Sequence, residues 1–349
     1  MKQHRMIRPK IGIALGSGVA RGWAHIGVLR ALDRAGIAPD IVSGTSIGSL
    51  VGGCYLAGKL DPLEEFARSL TRRRLLGLVD FRFRSSGLIG DSKLEAVMRE
   101  HLGDTRIDQL DRTFVAVATE LATGHELWLR EGNLVQAIRA SYALPGVFAP
   151  VPIDNRWLID GAIVNPVPVS VTRALGARLV IAVNLNTDPF DPATRRHWEQ
   201  GHNPFYVHTP PPEPYGLADE IDEIVEEAEA EAALEAGDAD SKLVAGIRGT
   251  LARLRGKVPT PERELVKRAM GSKHRGPGFA SVMLASLNII QDRLARARLA
   301  SDPPDIVIAP KIGHLTLLEF DKADELIRLG EEAAEEALPL IREMSELLR

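Results

Sequence analysis

The sequence predicts an α/β protein whose core is a mostly parallel sheet flanked by helices on both faces. Three observations carry that expectation. From Ile11 to Leu185, short apolar runs alternate with amphipathic stretches, the texture of successive strand and helix units. Glycine-rich turns, Gly16 to Gly22 and Gly44 to Gly48, stand where the first two apolar runs give way to helix-compatible segments, and glycine permits tight passage from strand to helix. The 349 residues are 45% hydrophobic, enough to fill one large core or two ordinary ones, which excludes a disordered or fibrous chain.

Taken in order, the first strand is Ile11–Leu15, an apolar run closed by Gly16-Ser17-Gly18, and a helix follows Gly22. The second strand, Asp40–Ser43, is closed by Gly44, with a helix after Gly48; further helices follow Asp61 and Asp91, since acidic residues suit a first helical turn. Phe114–Thr119 and His125–Leu129 are strands either side of a Gly124 turn, and Asn133 suits the start of the next helix. Trp157–Ile159 is a strand ending at Asp160-Gly161, a helix follows Ser170, and Leu179–Asn184 is the last strand of this region. After Asn186 the texture changes: 13 acidic residues and no Lys or Arg lie between His197 and Ser241, then 10 basic against 2 acidic between Lys242 and Arg275. Such blocks read as solvated, mobile segments or, being opposite in charge, as two segments that pair with each other. Order returns with a helix from about Gly278 to Ala300, a strand Asp305–Ala309 and a helix from Lys322. The expected organisation is therefore a tail at 1–10, an α/β core at 11–186, a charged insertion at 187–275 and a segment completing the core at 276–349.

Net charge of −4 argues against nucleic-acid binding. Cys54 is the single cysteine, so an intrachain disulfide or a multi-cysteine zinc site is excluded, and the histidines show no metal-ligand spacing. No cofactor is expected. The apolar stretch Ile11–Leu15 is too short for a signal peptide, and no window approaches the roughly 18–20 apolar residues of a membrane span. The expected location is cytoplasmic.

The strongest chemical signal is Gly44-Thr45-Ser46-Ile47-Gly48, a G-x-S-x-G sequence between strand and helix. A turn that sharp needs small residues two before and two after the serine, and it throws the Oγ up at the sheet edge beside the free N–H groups of the helix start. The bland alternative is a glycine-rich turn with an exposed structural serine. The earlier turn, Gly16-Ser17-Gly18-Val19-Ala20-Arg21-Gly22, fits neither the dinucleotide fingerprint, which would need glycine at Arg21, nor a Walker loop. Beside a serine elbow its simpler role is an oxyanion hole, with amides of Gly16, Ser17, Gly18, Val19 and Ile47 as candidate donors and Arg21 either reinforcing the field or pinning the loop. Val19, being β-branched, is expected to resist positive φ. Asp160, followed by Gly161 and Ala162, ends a strand at the sheet edge where α/β folds bind ligands; taken alone, such an Asp-Gly is more often a turn.

These three elements in this order resemble the patatin-like phospholipase family. The likeness continues through Trp23 to Leu29, Gly87 to Leu102, Val117 to Gly124, Ser141 to Val151 and Asn165-Pro166-Val167-Pro168, and the tail from Asp305 to Leu340 is similar to bacterial members. The resemblance implies a three-layer fold and a Ser–Asp dyad, with Ser46 as nucleophile and Asp160 as base, acting on phospholipid, lysophospholipid or other lipid acyl esters.

With an ordinary carboxyl pKa of about 3.9, Asp160 would stay ionised, and activity would persist as pH falls through about 6.5, where an ordinary histidine protonates, unless burial moves either value. His314, after the late strand, is the rival base of a triad, and His25 is expected to pack near the Gly16 loop. Between Arg68 and Arg84 six arginines alternate with leucine and phenylalanine; this reads as a surface helix and loop or, through Arg72, Arg73 and Arg74, as contact with an anionic membrane. Two other classes stand beside the hydrolase: a regulatory module whose charged segment binds an unidentified protein partner, and a nucleotide-binding protein using the Gly16 loop.

Overall fold

The computed structural model describes residues 9–71, 80–81, 89–90, 92–186, 279–315 and 317–348. The charged block at 187–275, Arg72 to Arg74 and most of the tail at 1–10 lie outside the described residues. The chain divides into two compact units, Met1–Pro204 with Ile289–Arg349, and Phe205–Asn288. The first unit holds the Gly16 loop, Ser46 and Asp160.

Its strands are β1 (Ile11–Leu15), β2 (Ile41–Thr45), the short β3 (Asp80–Phe81) and β4 (Ile89–Gly90), β5 (Thr113–Glu120), β6 (Glu126–Leu129), β7 (Val151–Ile153), β8 (Arg156–Asp160), β9 (Leu179–Val183) and β10 (Ile306–Ile308). Its helices are α1 (Ala24–Arg34), α2 (Ile47–Leu56), α3 (Leu60–Ser69), α4 (Ser92–Leu102), α5 (Leu134–Tyr142), α6 (Val169–Ala174), the later part of α7 (Phe279–Ser301) and α8 (Ala323–Leu347). Eight strands form one sheet in the order β10-β9-β1-β2-β5-β8-β7, with β6 also paired to β5. The pairings from β10 to β5 are parallel, and those of β6, β7 and β8 are antiparallel.

Alternation along the strands fills two cores, because successive side chains leave a strand on opposite faces. Ile13 and Leu15 of β1, with Leu179, Ile181 and Val183 of β9, join the large core that also holds apolar side chains of α1, α2, α5 and α8. Ala14, Val180 and Ala182 face the other way, onto Val169 of α6 and Ala295 of α7. A central sheet flanked by helices is thus the architecture. Asn133 caps α5, its side chain accepting from the Gln136 amide at 3.0 Å, in keeping with its residue type.

Strand β7 is absent from the sequence-based expectation, because Pro152 sits at its centre. It is the edge strand of the sheet, the place where a missing backbone donor costs nothing. The C-terminal helix is built into the core: α8 crosses α1 at Gly27 and Gly330, where a Cβ on either glycine would strike a backbone carbonyl of the other helix. Arg34 then pairs with Glu331 and Glu335 across the contact. Among the described residues no helix is long and apolar enough to cross a membrane.

Candidate active site

Sheet register brings Ser46 and Asp160 together. Along β5, Thr113 to Val117 pair with β2 up to Thr45, and Ala118 to Glu120 pair with β8 from Asp160 back to Leu158. Strand β6 pairs with Ala116 to Thr119 and so overlaps both partners. Strands β2 and β8 therefore share the opposite edge of β5 and meet end to end. One residue past Thr45 is Ser46, and the last residue of β8 is Asp160. Partners 114 positions apart in sequence become neighbours because the β5 edge changes partner between Val117 and Ala118.

The contact is direct: Ser46 Oγ donates to Asp160 Oδ2 at 2.7 Å. Both side chains are buried, Ser46 at 8% exposure and Asp160 at 2%. Ser46 has φ 56° and ψ −123°, a backbone conformation that a non-glycine residue adopts only when its surroundings impose it. The turn is close enough that a Cβ on Gly44 would run into the Gly48 carbonyl, and one on Gly48 into that of Leu15; this is the steric reason for small residues on either side of the serine. The other carboxylate oxygen of Asp160 accepts from the Ala162 amide at 2.8 Å. Burial pushes the Asp160 carboxyl up from 3.8 to about 7, against the opposing pull of the bonds from Ala162 and Ser46. The expectation of an acid ionised far below neutrality is thereby corrected. Solvation, which residue type does not reveal, sets the value.

The glycine-rich loop is narrower in its chemistry than expected. The Gly16 amide donates to Val183 O at 3.0 Å and that of Ser17 to Pro166 O at 2.9 Å. These two leave the expected donor set, since their N–H groups are spent on holding the loop. The amides of Gly18, Val19 and Ile47 have no backbone or side-chain acceptor among the described residues. Val19 stands at φ 51°, against the expectation for a β-branched residue, so the loop tip as well as the elbow is held in a strained conformation. Arg21 is a pin: its Nε and Nη2 reach Leu315 O at 2.9 and 2.7 Å, while the Ala20 amide donates to Leu317 O at 3.1 Å. The C-terminal segment thus clamps the loop from behind. Gly22 lies against Ile47, with no room for a Cβ, and Gly161 likewise abuts Val117 of β5.

Of the histidines weighed as bases, His25 is fully buried with Nε2 2.8 Å from Gly16 O. Burial lowers its pKa to about 4, so the ring is neutral and donates from Nε2 to that carbonyl. His314 points instead to Glu325 Oε1 at 2.9 Å, with 44% of its side chain exposed. Cys54 is buried, its thiol pushed up to about 12 by burial. Within the arginine-rich stretch, Arg68 pairs with Glu64 and Asp324 and Leu70 is buried in the core; these two serve structure. Among the described residues no group of three or more His, Cys, Asp or Glu side chains is arranged to hold a metal ion.

The model of the family described as patatin-like phospholipase matches residues 13–173. An uncharacterized NTE family protein of Mycobacterium tuberculosis is 35% identical over 345 residues, an alignment covering 95% of this chain and 91% of the relative. The chain belongs to the patatin-like phospholipase family. Patatin-like phospholipase domain-containing protein 6 of Homo sapiens is 32% identical over 184 residues, covering 51% of this chain and 13% of that protein. Among solved structures, VipD from Legionella pneumophila aligns over 95% of this chain and 67% of its own at 12% identity with a TM-score of 0.44, a likeness too distant to bear on the site. Membership of the patatin-like family supports a lipid hydrolase.

Proposed function

We propose that the chain is a serine acyl hydrolase cleaving carboxylic esters of phospholipids, lysophospholipids or other lipids through a dyad of Ser46 and Asp160. The observation that carries this reading is the 2.7 Å bond between the two side chains at a strained strand-to-helix turn. Ser46 Oγ attacks the acyl carbonyl carbon while its proton passes to Asp160 Oδ2. The carbonyl π pair moves onto oxygen, and the amides of Gly18, Val19 and Ile47 supply the donors for the oxyanion, with the helix start of α2 behind Ile47. Collapse breaks the ester C–O bond, and the alcohol leaves with the proton held by Asp160. Water repeats the sequence on the acyl-enzyme and frees the acid. A base with a pKa of about 7 is matched to proton transfer near neutrality.

Labelling with a fluorophosphonate tests the reading, because only an activated serine reacts. The wild-type chain should be labelled and should hydrolyse a short soluble ester, whereas Ser46→Ala should do neither. Ester turnover in Ser46→Ala within about tenfold of wild type would sink the assignment.

A further inference from the structure

The hydroxyl of Ser141, near the end of α5, is completely buried and occupies an unusual place. It accepts from the Ser46 amide at 2.9 Å and donates to Val117 O at 2.6 Å. The register shows what these two groups would otherwise do. The Thr113 amide donates to Asp40 O at 3.2 Å, and in a parallel ladder the pattern repeats every two residues along each strand. With Thr45 opposite Val117, the next rung in that sequence would run directly from the Ser46 N–H to Val117 O. Ser46 instead turns up into the elbow at φ 56°, and the rung opens.

We propose that Ser141 is a positioning residue for the nucleophile, its hydroxyl standing in the opened rung between the Ser46 amide and the Val117 carbonyl. An oxygen with one donor and two acceptor sites is suited to that gap. Without it a buried N–H and a buried C=O both go unpaired, which is costly, and the elbow can settle back toward β5 to remake the rung. That movement would carry Ser46 Oγ away from Asp160, which is held independently: its amide donates to Ala143 O at 2.9 Å, and its carbonyl accepts from Thr119 Oγ1 at 2.9 Å. The inserted hydroxyl therefore sets the lift of the nucleophile off the sheet, while Asp160 stays where β8 leaves it. Among the described residues Ser141 Oγ bonds only to main-chain atoms, of the elbow and of β5, so its effect is on placement and not on the protonation of the base.

The inference rests on Ser46 being the nucleophile, and the experiment separates the two. Fluorophosphonate labelling of the wild-type chain is measured first; failure there refutes the proposed function, whatever Ser141 does. On a labelled wild type, Ser141→Ala and the near-isosteric Ser141→Cys should each lower kcat on a short soluble ester roughly ten- to a hundredfold, the scale of one buried hydrogen-bond partner lost. KM should change less than about twofold, and the pH midpoint of turnover should stay at its wild-type position, because the Asp160 carboxyl is untouched. Ser141→Thr, which keeps the hydroxyl, should recover most of the rate. A folded Ala or Cys variant with wild-type kcat overturns the proposal, as does a loss that tracks only the fraction of protein unfolded. Independently of any variant, the Ser46 amide of the wild-type chain should be protected from hydrogen exchange like the amides of β2; exchange at the rate of a surface loop overturns the proposal as well.

Discussion

The two halves of the sheet contribute to the site in opposite ways. The parallel half, from β10 to β5, offers the ends of its strands: β1 runs out into the Gly16 to Gly22 loop and β2 into the Ser46 elbow, both at carboxyl ends where α/β folds gather ligands. The antiparallel margin brings a strand in from the other direction, so that β8 delivers Asp160 against the end of β2. In the parallel half the proposed chemistry lies in strained backbone, at Val19 and Ser46. In the antiparallel margin it lies in an unstrained but desolvated carboxyl. The meeting of these two side chains belongs to neither half alone. It forms at the seam where one edge of β5 changes partner and direction.

The sharpest way to break that contrast is to remove the group that the parallel half supplies. Ser46→Ala should abolish ester turnover while leaving the fold intact, since the elbow loses one oxygen and its geometry tolerates a smaller side chain. Next in size is the antiparallel contribution: Asp160→Asn should lose at least about a thousandfold in kcat, as general acid–base groups commonly supply rate factors of that order.

The same variant carries a test of the desolvated carboxyl. The native protein holds the Asp160 proton up to about 7, whereas the unfolded chain releases it near 3.8. Between those values the native state binds more protons than the unfolded state, so wild-type stability falls as pH rises from about 4 to about 7. A difference of about three pKa units sets the upper limit near ~4 kcal/mol. Asp160→Asn should therefore melt above wild type at pH 8, by an amount that shrinks toward pH 4. In wild type, turnover should rise with pH about a midpoint near 7, as the base form appears. A rate that is flat from about pH 5 to 8 would break the link between burial and the base.

Strain at the loop tip predicts a smaller effect. Val19→Gly removes the penalty of a β-branched side chain at φ 51° but frees the unfolded chain. Stability should change by less than about 1 kcal/mol, and turnover should fall several-fold as the tip loosens; steady-state kinetics beside a thermal melt separate the two. His314→Gln should do least. Its exposed pair with Glu325 is worth under about 1 kcal/mol, so kcat on a short ester should stay within a factor of about two. A thousandfold loss there, with normal folding, would turn the dyad into a triad.

Much of this architecture is legible in the sequence because its signals are local. The apolar runs at Ile11–Leu15 and Leu179–Val183 need only burial on both faces to read as strands, and the sequence Gly44 to Gly48 contains within five residues the small side chains that a sharp turn requires. Strand β7 is hidden in the sequence because Pro152 argues against a strand wherever its place at the sheet edge is unknown. Ser141 opens one of the blocks of family likeness, but residue type and block membership give it no role: a serine near the end of an amphipathic helix becomes informative only when the rung it fills is known to be open.

What the sequence determined by itself is the succession of the main strands and helices, the two glycine turns and the residue types able to do chemistry, since each depends on residues close together in the chain. The tertiary structure alone decided which of those groups meet and in what state. The meeting of Ser46 with Asp160 depends on where β5 exchanges β2 for β8. The Gly16 and Ser17 amides are removed from the donor set by carbonyls from Val183 and Pro166. The Asp160 carboxyl titrates near neutrality because the packed protein denies it water. Register, hydrogen-bond competition and desolvation are all properties of contacts between distant segments, and a linear sequence does not state the distances on which they depend.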